Sequence, residues 1–126
     1  MTMRTPLSRV RGLGSAKSGT EHWFLQRVTA IANIPLILFM IFFVISHLGA
    51  GRADIVASLR HPIVAILIAL AFVSVLWHMR LGMQVIIEDY VQGAGAKFLA
   101  LLLNTFFAIL LAVAVLFAIL RMMLGA

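Results

Sequence analysis

The amino-acid sequence predicts an all-α membrane protein in which three transmembrane helices form an up-down-up bundle. Of its 126 residues, 63% are hydrophobic and only 11% are charged, whereas soluble domains are about half apolar and about a quarter charged. The apolar residues form three blocks, 28–48, 62–79 and 98–120. Each block is long enough to cross a hydrocarbon core of about 30 Å, which takes roughly 20 helical residues. None shows the alternation of barrel strands, so the blocks are helices.

The distribution of basic residues predicts that the amino terminus is cytoplasmic. Five of the ten Lys and Arg residues precede or open the first apolar block, namely Arg4, Arg9, Arg11, Lys17 and Arg27. Positively charged flanks hold a segment on the cytoplasmic side, so three crossings leave the carboxyl terminus outside. The same clustering explains the net charge of +6 by orientation against membrane lipid, and we expect no nucleic acid partner.

Composition divides the chain into two regions. Residues 1–19 are basic, contain Gly and Pro and lack helical periodicity, so we expect a flexible cytoplasmic arm. Residues 20–126 form the membrane anchor, with helices over about 22–48, 62–90 and 97–123. Glycines after the first two helices and a proline in the first turn of the second mark these ends.

The chain contains no cysteine, which excludes disulfides, iron–sulfur clusters and thiolate zinc sites within it. The connections between the predicted helices are about 10 residues long, which is too short to form a soluble active site. We therefore expect a chain without catalytic residues of its own. Its function depends on side chains inside the bundle or at its ends.

Ionisable side chains inside the predicted helices require an explanation, because a charge at the bilayer centre costs about 2.5–3.5 kcal/mol on insertion scales. His78 and Arg80 lie in the second helix. If Asp89 and Arg27 mark the cytoplasmic surface, His78 lies about 16 Å and His47 about 30 Å below it, at about 1.5 Å per residue. This difference of about 14 Å prevents the two histidines from sharing one iron. A second ligand to a metal at His78 must then come from another chain.

Small residues share the helix face that carries His78. At about 100° per residue, Gly82 lies about 40° and Ala71 about 20° from His78. Such residues allow the close approach of either a planar ring or a neighbouring helix. The pattern alone therefore leaves His78 as either a cofactor ligand or a hydrogen-bonded structural residue. Tyr90 fits an interfacial aromatic, and Arg80 fits either an interhelical charge partner or a side chain reaching for the surface.

Two stretches of the chain resemble one known family. His78-Met79-Arg80-Leu81-Gly82 followed by Asp89-Tyr90-Val91 resembles the H-x-x-x-G-x(6)-D-Y pattern of the smaller, D-type membrane-anchor subunit of succinate dehydrogenase, respiratory complex II. Ser18-Gly19-Thr20, Trp23 and Gln26-Arg27-Val28-Thr29-Ala30 resemble that family's entry into its first helix, an R-x-T-A pattern. The length and the three helices also agree, so the resemblance covers almost the whole chain.

The resemblance implies a subunit of a heterotetrameric succinate:quinone oxidoreductase. A flavoprotein and an iron–sulfur subunit would carry the flavin and the iron–sulfur clusters. A C-type membrane anchor would share haem b with this chain, and quinone would be the substrate. The chain itself would be a non-catalytic anchor that serves electron transport and the citric acid cycle. We expect it in a bacterial inner membrane rather than a mitochondrial one, because no transit-type leader is recognisable.

The resemblance also implies roles for five residues. His78 matches the axial ligand to the haem iron, and Gly82 matches a position of close approach beside the haem. Tyr90 matches the tyrosine that hydrogen-bonds the quinone, and Asp89 matches the neighbouring acid of that site. Arg27 matches an arginine near the haem propionates and the quinone pocket.

Two other functions fit the same sequence. The first is the anchor of a fumarate reductase, since both directions of the reaction share the same chemistry. The second is a small transporter or channel subunit without haem, in which His78 and Arg80 would line a polar path.

Overall fold

The computed structural model of the chain describes residues 5–12 and 19–125, and within that part all regular structure is helical. Five helices follow one another along the chain: α1 Pro6–Val10, α2 Gly19–Ser46, α3 Arg52–Leu59, α4 Pro62–Tyr90 and α5 Ala94–Leu124. The predicted all-α class is confirmed. Arg4 and Lys17 of the predicted arm lie outside the described residues, and α1 is a five-residue helix within that arm.

Three of the helices are long and apolar enough to cross a membrane, as predicted. α2, α4 and α5 contain 28, 29 and 31 residues, which corresponds to lengths of about 42–46 Å. They therefore extend beyond a hydrocarbon core of about 30 Å. Compared with the expected bounds, α2 begins and ends earlier, and α5 begins earlier, at Ala94.

Glycines in the left-handed backbone region end α2 and introduce α5. The last turn of α2 tightens where the His47 and Leu48 amides donate to carbonyls three residues earlier, each at 3.2 Å. Gly49 follows with φ +80°, a conformation that residues with a Cβ rarely adopt. Gly93 has φ +97° between α4 and α5. These positions explain why both connections turn sharply.

The first connection contains a helix that the sequence did not lead us to expect. α3 begins after Gly51, whose amide donates to Asp54 Oδ2 at 3.1 Å. It ends at Leu59, which is only 4% exposed and joins a buried cluster with Ala65, Ile68 and Ile119. α3 was missed because it is too short to span a membrane and lies between two glycines and a proline. Its apolar positions 55, 56 and 59 share one helix face.

α4 is the central helix of the bundle. It packs against α2 on one side and α5 on the other, whereas α2 and α5 do not pack against each other within the described residues. Thr29 pairs with His78, and Asn33 pairs with Ser74. Residue numbers therefore rise along α2 as they fall along α4, so the two helices are antiparallel.

α5 runs antiparallel to α4 by the same criterion. Lys97 donates to the carbonyl of Glu88, and the Arg80 side chain donates to Thr105. Consecutive long helices thus run in opposite directions. The side of the membrane on which the amino terminus lies stays a prediction.

Large apolar side chains cover the outer faces of all three long helices. Those more than 60% exposed include Ile31, Ile34, Leu38, Phe42 and Ile45 of α2, Ile63 of α4, and Phe98, Leu110 and Phe117 of α5. Lipid chains and the helices of other membrane proteins are the surroundings in which such a surface is stable. The outer surface therefore agrees with a chain embedded in a bilayer.

Truncation of Leu59 tests the contribution of α3 to the fold. We expect Leu59→Ala to lower the free energy of unfolding by about 2 kcal/mol or more, because it leaves a cavity in the buried cluster. Unfolding in mixed micelles of a mild detergent and SDS, followed by circular dichroism, measures this change. The matched control is Leu48→Ala, since Leu48 is 74% exposed. Equal effects of both substitutions would contradict a structural role for α3.

Candidate functional site

His78 lies on the face of α4 that packs against α2. Its side chain is half-buried, and its Nδ1 atom is 2.9 Å from the Thr29 Oγ1 atom. The Thr29 hydroxyl is also 2.8 Å from the Leu25 carbonyl oxygen and 3.2 Å from that of Gln26. The carbonyl oxygens only accept hydrogen bonds, so either of them can take the single proton of the hydroxyl. Whether Thr29 Oγ1 accepts from His78 Nδ1 or donates to it depends on the tautomer of the ring.

The second ring nitrogen of His78 is open to the surroundings of the bundle. Nε2 makes no hydrogen bond within the described residues. It is also not one of the buried side-chain nitrogen and oxygen atoms that lack a partner there, which are His22 Nε2 and Gln26 Oε1. His78 thus has one nitrogen bonded to its own chain and one nitrogen available to a group outside it.

His47 has a different arrangement. Its Nδ1 atom is 2.8 Å from the Phe43 carbonyl oxygen, and its Nε2 atom is 2.7 Å from the Ser58 hydroxyl. The ring also stacks on Phe43, with centroids 4.3 Å apart. Nδ1 bonds within α2 and Nε2 joins the end of α2 to α3, so His47 has no free nitrogen for a metal.

The observed pairing of α2 with α4 places the residues of α2 at other levels relative to His78 than the sequence suggested. The sequence-based estimate placed Arg27 and Asp89 at the same membrane surface. Because Thr29 lies opposite His78, Arg27 is only about 3 Å from the level of His78 along the axis, rather than about 16 Å. The same register separates His47 from His78 by about 27 Å. The predicted separation of about 14 Å is therefore too small. The larger separation also prevents the two histidines from binding one iron.

Gly82 lies against α2. A Cβ atom built on Gly82 would be 3.6 Å from Gln26 Nε2, one turn from the pairing of Thr29 with His78. A small residue here could allow the close approach of either a planar ring or a neighbouring helix. In the structure, the neighbour of Gly82 is the helix α2. Contact between Gly82 and a planar ring stays a prediction.

A third polar pair continues the interface between α2 and α4. Ser74 Oγ donates to Asn33 Oδ1 at 2.6 Å, and Asn33 is 7% exposed. With Gln26 beside Gly82, and Thr29 beside His78, polar groups occur at three successive levels. We call these six residues the polar seam: Gln26, Thr29, Asn33, Ser74, His78 and Gly82. An interhelical hydrogen bond thus satisfies the buried Asn33 side chain.

Asp89 and Tyr90 lie at the end of α4, away from His78. Twelve residues separate Tyr90 from His78, which is about 18 Å along the helix. Tyr90 is 79% exposed. Asp89 lines an open cavity of about 520 Å³ at the turn between α4 and α5, where the Lys97 amine donates to the Glu88 carbonyl at 2.7 Å. The structure therefore separates the predicted quinone residues from the predicted haem ligand.

Arg27 is exposed and lies over the Trp23 ring, with its Cζ atom 5.5 Å from the ring centroid. It is two residues from Thr29, so it projects from α2 about 160° away from the Thr29 side chain. Arg27 is therefore near the level of His78 but on the outer face of α2.

Arg80 contacts α5, on the side of α4 opposite His78. Its Nε atom donates to Thr105 Oγ1 at 3.3 Å, and its Cζ atom lies 5.1 Å from the centre of the Trp77 ring. Asn104 Nδ2 donates to the Arg80 carbonyl at 3.0 Å. The guanidinium borders an apolar cavity of about 360 Å³ between α4 and α5. Since α4 separates Arg80 from the His78 side chain, the two do not line a common path.

No role for Thr29 follows from the sequence, although Thr29 lies in the R-x-T-A stretch. A hydroxyl residue on the first helix at the same level as His78 could have indicated this pair. The sequence alone does not show which residues of the two helices lie at the same level. Within the described residues, no group of three or more His, Cys, Asp or Glu side chains is arranged to hold a metal ion. A single axial ligand from this chain does not require such a group.

Replacement of Gly82 by alanine tests the packing of the polar seam. A Cβ atom at 3.6 Å from Gln26 Nε2 makes an ordinary contact, and alanine has the higher helix propensity by about 1 kcal/mol. We expect Gly82→Ala to keep or slightly raise the stability measured in mixed micelles. Gly95→Ala is the matched control, because nothing lies within 4 Å of its Cβ position. A marked loss of stability in Gly82→Ala alone would contradict the described interface.

Comparison with known proteins gives a consistent result. Residues 1–120 match the family model described as the succinate dehydrogenase/fumarate reductase transmembrane subunit. A succinate dehydrogenase hydrophobic membrane anchor subunit of Rickettsia bellii is 34% identical over 92% of this chain and 93% of its own length. A protein of the same name from Paracoccus denitrificans is 31% identical over 97% and 94%. The succinate dehydrogenase membrane anchor subunit of Reclinomonas americana is 38% identical over 74% and 80%.

No solved structure matches the chain significantly. The family model nevertheless covers residues 1–120, which include His78 and the Asp89-Tyr90 pair. The chain belongs to the family of transmembrane subunits of succinate dehydrogenase and fumarate reductase.

Proposed function

We propose that the chain is the membrane anchor of a succinate:quinone oxidoreductase that supplies one axial ligand to haem b and part of the quinone site. The anchor role in complex II follows from family membership. The single observation that supports the finer proposal is the state of His78, whose Nδ1 is bonded to Thr29 while Nε2 stays open. A structural histidine, such as His47, uses both nitrogens within the chain.

The residues present fit a haem bound between this chain and a second one. His78 would hold the iron through the lone pair of Nε2, and the bond from Nδ1 to Thr29 would fix the orientation of the ring. Haem b, when bound, supplies one-electron chemistry at a potential that depends on its axial ligands and burial. Because His47 is bonded to α3 and lies about 27 Å away, it would not be the second ligand to the iron. That ligand would come from a companion C-type anchor, as the family resemblance implies.

Asp89 and Tyr90 support a quinone site at the end of α4. The Tyr90 hydroxyl would donate a hydrogen bond to a quinone carbonyl oxygen, which stabilises negative charge on that oxygen during reduction. The neighbouring Asp89 carboxylate would hold or relay a proton. The 79% exposure of Tyr90 is consistent with a pocket whose remaining walls belong to the companion anchor and the iron–sulfur subunit.

Arg27 is the candidate partner of the haem propionates. Its level along α2, about 3 Å from that of Thr29, supports this role, and its exposed guanidinium is available to an anionic group. Because the side chain projects from the outer face of α2, the role requires the companion anchor and haem to extend around that face.

The proposed orientation places the amino terminus and the end of α4 at the cytoplasmic surface, beside the iron–sulfur and flavoprotein subunits. Electrons from succinate oxidation in these partners would then reach quinone near Tyr90. The bacterial relatives and the three apolar helices fit a multi-pass protein of the inner membrane.

Two observations bear on the other functions. The reported relatives are named for succinate dehydrogenase, which favours succinate oxidation, although the family description covers fumarate reductase as well. A transporter or channel is disfavoured because His78 and Arg80 contact different helices.

Removal of the His78 side chain tests the haem ligand. We expect His78→Ala to abolish or alter the b-type signal in the reduced-minus-oxidised optical spectrum of the purified complex, since the iron loses one axial ligand. His61→Ala is the matched control, because His61 is exposed at the start of α4. An unchanged spectrum in an intact His78→Ala complex would refute the ligand assignment.

Removal of the Tyr90 hydroxyl tests the quinone site. Loss of one hydrogen bond of about 1.4 kcal/mol in the transition state corresponds to an approximately tenfold slower quinone reduction. We expect this effect in Tyr90→Phe, while succinate oxidation with soluble artificial acceptors stays unchanged. Ser46→Ala removes a hydroxyl at the opposite end of the bundle and should affect neither rate. Equal loss of both activities in Tyr90→Phe would count against the assignment.

A further inference from the structure

We propose that Thr29 is a positioning residue that holds the His78 imidazole in the tautomer with a proton on Nδ1 and a lone pair on Nε2. The proposal deepens the proposed function, because its consequence for haem depends on His78 being the ligand. The tautomer itself is a property of this chain and can be measured without haem.

The proton count at the Thr29 hydroxyl supports this assignment. Its single proton has two acceptors in the preceding turn, the Leu25 carbonyl oxygen at 2.8 Å and that of Gln26 at 3.2 Å. Both are acceptors only. Toward His78 Nδ1, at 2.9 Å, Oγ1 then presents a lone pair. A hydrogen bond between them needs the proton on Nδ1.

A proton on Nδ1 of a neutral imidazole leaves Nε2 unprotonated, and only an unprotonated nitrogen can bind a metal. The opposite arrangement, in which Thr29 donates to Nδ1, would put the proton on Nε2 and block that nitrogen. The direction of one hydrogen bond therefore determines whether the nitrogen that faces out of the bundle is a ligand or a donor.

The hydrogen bonds of His47 select the same tautomer but leave no ring nitrogen free. Its Nδ1 atom faces a carbonyl oxygen, that of Phe43 at 2.8 Å, and so carries the proton. Its Nε2 atom accepts from the Ser58 hydroxyl at 2.7 Å, which occupies the lone pair. At His78 no described residue contacts Nε2 by a hydrogen bond. The two histidines share a tautomer, and only His78 has its lone pair free.

Thr29 is the only hydrogen-bonding partner of the His78 ring within the described residues. Thr29→Val keeps the shape of the side chain and removes the hydroxyl. The ring then loses the acceptor that selects its tautomer and fixes its rotation. Thr29→Ser keeps the hydroxyl and removes the methyl group, so it serves as the matched control.

The first experiment measures the tautomer directly. The whole complex is produced in a haem-deficient host with ¹⁵N-histidine, and solid-state NMR in lipid bilayers records the ring nitrogens of His78, assigned by their loss in His78→Ala. We expect a protonated Nδ1 and an unprotonated Nε2 in the wild type, and a mixture of tautomers in Thr29→Val. A wild-type His78 protonated on Nε2 would overturn the proposal.

The second experiment measures the haem in the complete complex. A hydrogen bond from Nδ1 makes the imidazole a stronger electron donor and stabilises ferric iron. We expect Thr29→Val to shift the haem midpoint potential upward and to weaken haem retention about tenfold. Thr29→Ser should keep both near the wild-type values. An unchanged potential in Thr29→Val, or equal shifts in the two variants, would overturn the positioning role.

The outcomes also separate this proposal from the one on which it rests. If His78→Ala keeps the b-type spectrum, the ligand assignment fails. If His78→Ala loses the spectrum while Thr29→Val leaves the potential unchanged, His78 stays a ligand and Thr29 is not its positioning residue. If the Thr29→Val complex does not assemble, the wild-type NMR result and the haem potential of Thr29→Ser decide whether Thr29 positions the His78 ring.

Discussion

The register of α2 against α4 depends on the polar seam, and the positions of the other functional groups follow from that register. In lipid, apolar faces gain little by leaving their surroundings, so helix association relies on close packing and interhelical hydrogen bonds. Ser74 bonded to buried Asn33, and His78 bonded to Thr29, provide such bonds at two levels. A shift of α2 by one turn would break both, whereas the apolar contacts around them could re-form with other side chains.

This register gives α4 two different sides. His78 projects toward α2, and Arg80 reaches Thr105 of α5. Each ionisable group is thus held by one neighbour, and the two are separated by the helix backbone. The end of the same helix presents Tyr90, exposed and without cover from this chain. One helix therefore carries three chemically distinct positions, each open to a different environment.

Much of this arrangement could be predicted from the sequence. The three spans follow from composition, because a continuous apolar block of this length has few alternatives. The opposite orientation of His78 and Arg80 follows from helix geometry alone. The level of Arg27 could not be obtained in this way, because it depends on how far α2 continues beyond its apolar block toward Gly19. For the same reason the contact of Thr29 with His78 could not be predicted, since the two residues are 49 positions apart in the sequence.

α3 shows a different limit. Its segment is neither apolar enough for a span nor polar enough for an ordinary loop, and its helix is stabilised by the burial of Leu59 against residues of α4 and α5. Such a contact between distant segments leaves little local signal. His47 belongs to the same region, and the hydrogen bond between its Nε2 atom and Ser58 forms only because α3 brings Ser58 to the end of α2.

The absence of packing between α2 and α5 has a consequence for how the protein is built. With α4 between them, these helices form a layer one helix thick, which has no enclosed interior along most of its length. Any prosthetic group that such a layer holds is bound on its surface and must be shielded by a second protein. A group bound in this way contacts both layers, so its binding and the association of the subunits strengthen each other.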